Sequence, residues 1–289
     1  MTLAAGIDIG GTKCLGAVID DDGTVIRQLK VRTPQEPTAL IEAIAGVARE
    51  LGDYATLGVG LPGLVTTAGV VRSSPNLPEV KELDARAGLE AELGHTVVVG
   101  NDATCTAFAE WRLGAGRGVD DLVLVTLGTG IGGGLVQGGR LQVGANGFAG
   151  EIGHMTVQRH GIPCPCGRRG CWERYASGSG LTALSGGRTG EELVAAALAG
   201  EVDALAVIEE FADWVAIGLV NLTNLLDPAR IVLGGGLVEA ADVIAGPIER
   251  RFAARLYAPE HRPHPGLVFA SLGEEAGAIG AALLGAGRT

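Results

Sequence analysis

Ile7-Asp8-Ile9-Gly10-Gly11-Thr12, near the start of the chain, and Val125-Thr126-Leu127-Gly128-Thr129-Gly130, in its middle, are two versions of one pattern: an apolar strand running into a tight glycine turn. Outward from the first copy, alternation and turn residues predict a strand over 4–10, a strand over 13–19, an acidic turn at 20–23 and a third strand over 25–31, an antiparallel meander. A helix over 37–51, a strand over 56–60, a helix over 83–93, a strand over 96–100 and a helix over 103–111 follow. The second copy restarts the order with strands over 121–127, 131–136 and 140–143. Helices over 189–198 and 204–226, strands over 230–234 and 267–270 and a closing helix over 274–284 complete it. The repeat predicts a duplicated α/β protein of two domains, 1–112 and 113–273, the first completed by the stretch 274–289. No Pro-rich or Ser-rich linker separates them, so the halves are expected to touch along a cleft and hinge on few residues.

At 289 residues each half is long enough to bury its own core, and 47% apolar with only 4% aromatic residues means a core of Ala, Val, Leu and Ile. The 48 glycines follow no collagen period and sit in no linker. They mark turns and places where backbone approaches a ligand or another element. A net charge of -11 argues against a nucleic-acid or anionic-membrane surface as principal partner, because those affinities rest on clustered Lys and Arg. The chain runs from Met1 into its first strand with no apolar leader and no stretch long enough to span a membrane, so a cytoplasmic location is expected.

A duplicated unit opening on two glycine hairpins resembles the actin-like ATPase and sugar kinase superfamily, with its ribonuclease H-like fold and a nucleotide between two similar domains. The residues agree physically. Tight glycine turns aim successive amides at one point and form an anion nest without cationic side chains. Gly10, Gly11 and Thr12 form one such turn; Gly128, Thr129, Gly130 and Gly132 belong to another, in a segment, 127–134, with five glycines in eight residues. Either turn alone could be an ordinary hairpin, whereas two matched copies favour phosphate binding. Asp8 suits a water-mediated Mg²⁺ contact, or an Asx cap of the turn. Lys13 could reach a phosphate oxygen, or be a solvated strand residue. Gly234-Gly235-Gly236 opens an apolar strand end on which a base and ribose could lie flat, or is a plain strand-to-helix turn.

Three of the five cysteines fall together in Cys164-Pro-Cys166-Gly-Arg-Arg-Gly-Cys171, with His154 upstream and Glu151 and Glu173 outside the cluster. Three thiolates and one imidazole fill the tetrahedron that Zn²⁺ prefers and leave no position for water, so the metal would be structural. It would anchor Glu151 and Glu173. A disulfide is the alternative; a cytosolic chain keeps its thiols reduced, which favours zinc. Asn101-Asp102 stands at a strand exit, where side chains point to a binding site. Asp102 could cap the helix that follows. It is also the best candidate for the carboxylate that phosphoryl transfer to an alcohol requires. Asn101, Glu151, His154 and Glu173 are hydrogen-bonding groups of the kind that vicinal sugar hydroxyls need.

Taken together, Asp8-Ile-Gly-Gly-Thr-Lys13, Asn101-Asp102, the 127–134 loop, Gly150-Glu-Ile-Gly-His154, the Cys-x-Cys-x4-Cys run with Trp172-Glu173, and Val232-Leu-Gly-Gly-Gly236 resemble the ROK family over essentially the whole chain, and most of all its bacterial glucokinases. The resemblance implies ATP, delivered with Mg²⁺, as donor and a hexose as acceptor, glucose being favoured over N-acetylglucosamine, N-acetylmannosamine or mannose. Polyphosphate is an alternative donor. It implies Asp102 as catalytic base, sugar contacts from Gly63 in Gly60-Leu-Pro-Gly63, Asn101, Glu151, His154 and Glu173, zinc on His154, Cys164, Cys166 and Cys171, and a homodimer or homotetramer. The family's repressors carry a helix-turn-helix ahead of this fold, which a first strand starting by residue 4 leaves no room for. An actin-like assembly protein or chaperone would share the glycine loops but has no reason for the acid-flanked cysteine cluster.

Overall fold

The structure, a computed structural model, describes residues 2–287; Met1 and the last two residues of the stretch 274–289 lie outside it. Its strands are β1 (Ala4–Ile9), β2 (Lys13–Ile19), β3 (Val25–Arg32), β4 (Thr56–Leu61), β5 (Leu64–Val65), β6 (Val70–Ser73), β7 (Lys81–Asp84), β8 (Val97–Asn101), β9 (Leu122–Leu127), β10 (Ile131–Gln137), β11 (Arg140–Gln142), β12 (Arg230–Gly234) and β13 (Gly266–Phe269). The helices are α1 (Pro37–Glu50), α2 (Ala85–Leu93), α3 (Asp102–Arg112), α4 (Glu173–Ala176), α5 (Gly178–Leu184), α6 (Gly190–Leu198), α7 (Val202–Leu226), α8 (Ala241–Arg255) and α9 (Ala276–Gly285). The expected elements are all present, with ends shifted by one or two residues. Three were not expected: the small sheet β5-β6-β7, the short pair α4 and α5, and α8.

Two five-stranded sheets share one plan. The first has the order β3-β2-β1-β4-β8 and the second β11-β10-β9-β12-β13. In the first, β1, β2 and β3 pair antiparallel while β1, β4 and β8 run parallel. In the second, β9, β12 and β13 are parallel and β10 pairs antiparallel with β11. This is the duplication visible in the two glycine-turn strands. By contact the chain divides into one unit of residues 1–120, 134–150 and 271–289, and another of 121–133 and 151–270. No helix among the described residues is long and apolar enough to cross a membrane.

In the first unit α9 packs almost without side chains between it and its neighbours. It is buried along its length from Ala276 to Leu283. A Cβ on Gly6 of β1 would stand 1.9 Å from the Ala278 carbonyl oxygen, one on Gly58 of β4 1.8 Å from that of Ala281, and one on Gly280 1.8 Å from the Cys105 oxygen on α3. The helix is therefore pressed against β1, β4 and α3, and only glycine permits that distance. At the far end of α3 the fully buried Glu110 carboxylate accepts from the amides of Ala115, Ser271 and Leu272 at 2.8–2.9 Å, fixing the segment that leads into α9.

In the second unit, Trp172 is completely buried, its ring lying where a Cβ on Gly218 of α7 would have to be, and its Nε1 donates to the Trp214 carbonyl at 2.8 Å. Tyr175 stacks on Trp214 at 4.3 Å between centroids. Helix α8 lies along α7 through ion pairs of Arg250 and Arg251 with Glu209 and of Arg255 with Asp213.

Gly58→Ala forces backbone apart and should cost about 1–3 kcal/mol, seen as a lower denaturant midpoint at unchanged slope. Gly46→Ala in α1, where an added Cβ meets nothing within 4 Å, should instead stabilise by about 0.5–1 kcal/mol. Equal effects from the two would show that the α9 contact is looser than described.

Candidate active site

The predicted residues fall into two groups, one in each unit. In the first unit, the parallel strands β1, β4 and β8 end side by side, with Asp8 in register with Gly60 and Gly60 with Gly100. Asp8, Gly63, Asn101 and Asp102 therefore share one edge of the sheet. Gly60 makes the space: a Cβ there would lie 3.4 Å from both the Asp8 Oδ1 and the Asp102 Cα. Gly63 takes a left-handed φ of +97°, and its carbonyl accepts from Asn101 Nδ2 at 3.2 Å.

The cap of α3 is Asn101, whose Oδ1 accepts from the Thr104 amide at 2.9 Å. Asp102 is the first helical residue, and its Oδ1 accepts from the Ala103 amide at 2.8 Å. The capping reading of Asp102 is thereby corrected: its neighbour performs that task and leaves Asp102 available. Burial raises the Asp102 pKa above its ordinary value, opposed by the Ala103 and Asp102 amides and by Asn101. Asp8 is pushed up to about 8, by burial first and then by the nearby Asp102 carboxylate, with Lys13 pulling it down. Asp8 Oδ1 is buried and has no protein partner. Lys13 is half exposed and pairs with Glu274 at 2.9 Å, an anion that also holds Lys30 at 2.8 Å.

Each glycine turn has its carbonyl groups held by neighbouring donors. In the first, the Gly10 carbonyl accepts from Thr33 Oγ1 at 2.8 Å and the Gly11 carbonyl from Gln35 Nε2 at 3.0 Å. In the second, the Gly128 carbonyl accepts from the Gly178 amide at 2.7 Å and the Thr129 carbonyl from Ser179 Oγ at 2.8 Å. Among the described residues, the amides of Gly11, Thr12, Thr129 and Gly130 donate to no protein acceptor. The Gly132 amide is taken by Thr126 Oγ1 at 3.0 Å, so this glycine supports the turn from within. Gly235, at φ +82°, packs its backbone on Leu127, and Gly234 and Gly236 flank it at the end of β12.

The cysteine run folds as a knuckle, closed by the Cys164 amide to the Arg168 carbonyl at 2.8 Å and by left-handed Gly167 and Gly170. All five cysteines are free thiols. One ligand atom each from His154, Cys164, Cys166 and Cys171 lies within 4.8 Å of the other three. A tetrahedral zinc with bonds of about 2.0–2.3 Å places its ligand atoms roughly 3.5–3.8 Å apart, so the donor set fits with slight closure. His154 turns Nδ1 toward Cys164 Sγ at 3.9 Å and Nε2 toward Glu151 at 3.9 Å.

Glu173 stands against the second glycine turn. Its Oε1 accepts from the Cys164 thiol at 3.0 Å, while its Oε2 lies 2.7 Å from where a Cβ on Gly130 would be. The cysteine knuckle and the second turn thus meet at one carboxylate. Sequence reasoning also missed Ser177-Gly178-Ser179. The available signal was a capping serine followed by glycine just after the cluster.

The profile of the ROK family matches residues 4–287. A glucokinase of Streptomyces coelicolor is 35% identical, over 98% of this chain and 97% of its own length. An N-acetylgalactosamine kinase of Shewanella is also 35% identical, over 98% and 96%. A solved structure described as a ROK family glucokinase from Streptomyces griseus in complex with glucose and AMPPNP matches with a TM-score of 0.90 at 35% identity, covering 99% of both chains. The strand-end carboxylates, the paired glycine turns and the cysteine knuckle are thus carried on a sequence and fold matched end to end, and the chain belongs to the ROK family.

Proposed function

We propose that this protein is a glucokinase, transferring the γ-phosphoryl group of ATP to the 6-hydroxyl of glucose. The observation that carries the reading is Asp102: a half-buried carboxylate just past the end of β8, raised in pKa by desolvation, beside a second carboxylate and not needed as a helix cap. In the proposed step Asp102 takes the hydroxyl proton as the sugar oxygen bonds to the γ-phosphorus and the bond to the bridging oxygen of ADP breaks. A general base is most effective when its pKa is lifted toward the working pH.

Asn101, the Gly63 backbone, Glu151, His154 and Glu173 hold the sugar hydroxyls, and the Gly11, Thr12, Thr129 and Gly130 amides receive donor phosphate oxygens. The Gly234–Gly236 segment is the proposed bed for adenosine. Asp8 is the acceptor for Mg²⁺ or its water, since Oδ1 is buried without a partner; a bound magnesium would neutralise phosphate charge. His154, Cys164, Cys166 and Cys171 would hold a structural zinc. The contact division differs from the two halves read from the sequence by giving 134–150 to the first unit, and self-association into a homodimer or homotetramer would use exposed apolar side chains such as Leu198 and Val202. Glycolytic use in the cytoplasm completes the reading.

Incubation with ATP and a panel of hexoses should release ADP fastest with glucose; preference for an N-acetylated hexose would redirect the substrate assignment, and no sugar dependence would overturn the kinase reading. Asp102→Asn should lower kcat by about 10²- to 10⁴-fold with sugar affinity within a fewfold. Turnover above about one tenth of wild type would remove the base role.

Purified protein should hold about one zinc per chain, and Cys166→Ser should lower metal content and thermal stability together. Stability unchanged on metal loss would remove the structural role.

A carboxyl group whose pKa is raised in the folded state stabilises fully below its unfolded value and loses that contribution as pH rises through the folded value. For Asp8 the window runs from 3.8 to about 8. The stability of the ligand-free protein should fall across it, and Asp8→Asn should flatten the fall. An unchanged slope in that variant would show that Asp8 ionises normally.

A further inference from the structure

The second glycine turn is held from behind by a segment to which the proposed chemistry assigns no role. A trans peptide unit carries its C=O and the following N–H on opposite edges of one plane. A bond to the Gly128 carbonyl therefore fixes the direction of the Thr129 N–H, and a bond to the Thr129 carbonyl that of Gly130. Gly178 N makes the first bond at 2.7 Å and Ser179 Oγ the second at 2.8 Å. The two amides so aimed are the two that donate to no protein acceptor among the described residues.

The holder is itself fixed. Ser177 is buried and caps α5 through the Gly180 amide at 3.2 Å. A Cβ on Gly178 would lie 3.0 Å from the Gly128 oxygen, so the two backbones touch. Tyr175, three residues before Gly178, stacks on Trp214 and accepts from the Ile162 amide at 2.8 Å. The first turn is built by the same rule from unrelated residues: Thr33 and Gln35 take the Gly10 and Gly11 carbonyls, leaving the Gly11 and Thr12 amides aimed outward. Two independent solutions to one geometric requirement show that the carbonyl side of each turn is a built feature.

We propose that Ser179, acting with the Gly178 amide, is a positioning residue of the donor site: it holds the carbonyl edge of the 128–130 turn so that the Thr129 and Gly130 amides converge on a phosphate. This inference rests on the reading of that turn as a phosphate site. Ser179→Ala frees the Thr129 carbonyl while leaving the fold's core untouched. One neutral hydrogen bond corresponds to a change of about three- to tenfold in the KM for MgATP and in the Kd for ADP measured by calorimetry. The KM for glucose should stay within about twofold, and Ser179→Thr, which keeps the hydroxyl, should restore nucleotide affinity.

Gly128→Ala separates the two layers of the argument, because its Cβ would meet only the Gly130 oxygen, at an ordinary contact distance of 4.0 Å, and so adds a methyl group to the turn without straining it. Weaker nucleotide binding in both Gly128→Ala and Ser179→Ala, with threonine rescue, supports the proposal. Weaker binding in Gly128→Ala alone overturns the role of Ser179 and keeps the turn as a phosphate site. No nucleotide effect in either overturns the phosphate reading itself. An effect of Ser179→Ala that raises the glucose KM equally, or that Ser179→Thr fails to rescue, marks Ser179 as a general structural residue and also overturns the proposal.

Discussion

The contact on which the first unit depends is that of α9 against bare backbone. Helices usually stand 8–10 Å from their neighbours because side chains intervene. Here Gly6, Gly58 and Gly280 remove those side chains at the three points where α9 crosses β1, β4 and α3. The consequence reaches the acids. A Cβ on Gly277, in the first turn of α9, would fall 2.4 Å from the Asp8 Cγ, so the helix start forms part of the wall that desolvates this carboxylate. The same packing buries α3, which begins at Asp102. Close packing made by absent side chains thus produces the dry environment in which both carboxylates hold raised pKa values, and dryness is what makes a carboxylate basic enough to take a proton from an alcohol.

Much of this was legible in the chain because it is written in strong local signals. Apolar strands such as 122–127, turns with obligatory glycines and a cysteine spacing that fits one metal are each set by residues close in sequence. What escaped was set otherwise. The β5-β6-β7 sheet has strands of two to four residues, too short for alternation to register. Helix α8 carries Pro247 in its interior, which reads as a break; its ion pairs with α7, through Glu209 and Asp213, lie about forty positions away in the chain and help hold it. The division of labour between Asn101 and Asp102 turns on a shift of one residue in where α3 starts, below the accuracy with which helix ends can be read. The meeting of Glu173 with Gly130 is a contact between segments far apart in sequence, and spacing alone carries no information about it.

The duplication explains why the two turns resemble each other, but their supports show where the copies have parted. In the first unit the carbonyls of the turn are held from the end of β3 and the residues just after it, through Thr33 and Gln35. The corresponding strand of the second sheet, β11, is only three residues long, and the support for the second turn comes instead from α5. That helix follows the cysteine knuckle directly, through Trp172 buried on α7 and Glu173 against Gly130. The knuckle and its following helices therefore occupy, in the second copy, the mechanical place that a longer meander strand holds in the first. A glycine turn cannot hold its own peptide planes, since glycine is the residue least constrained by sterics. Each copy has had to bring rigidity from a neighbour, and in the second copy the neighbour is the segment that also carries Glu173. Glu173 and the second turn are thereby tied to one rigid piece, so that anything loosening the knuckle loosens both.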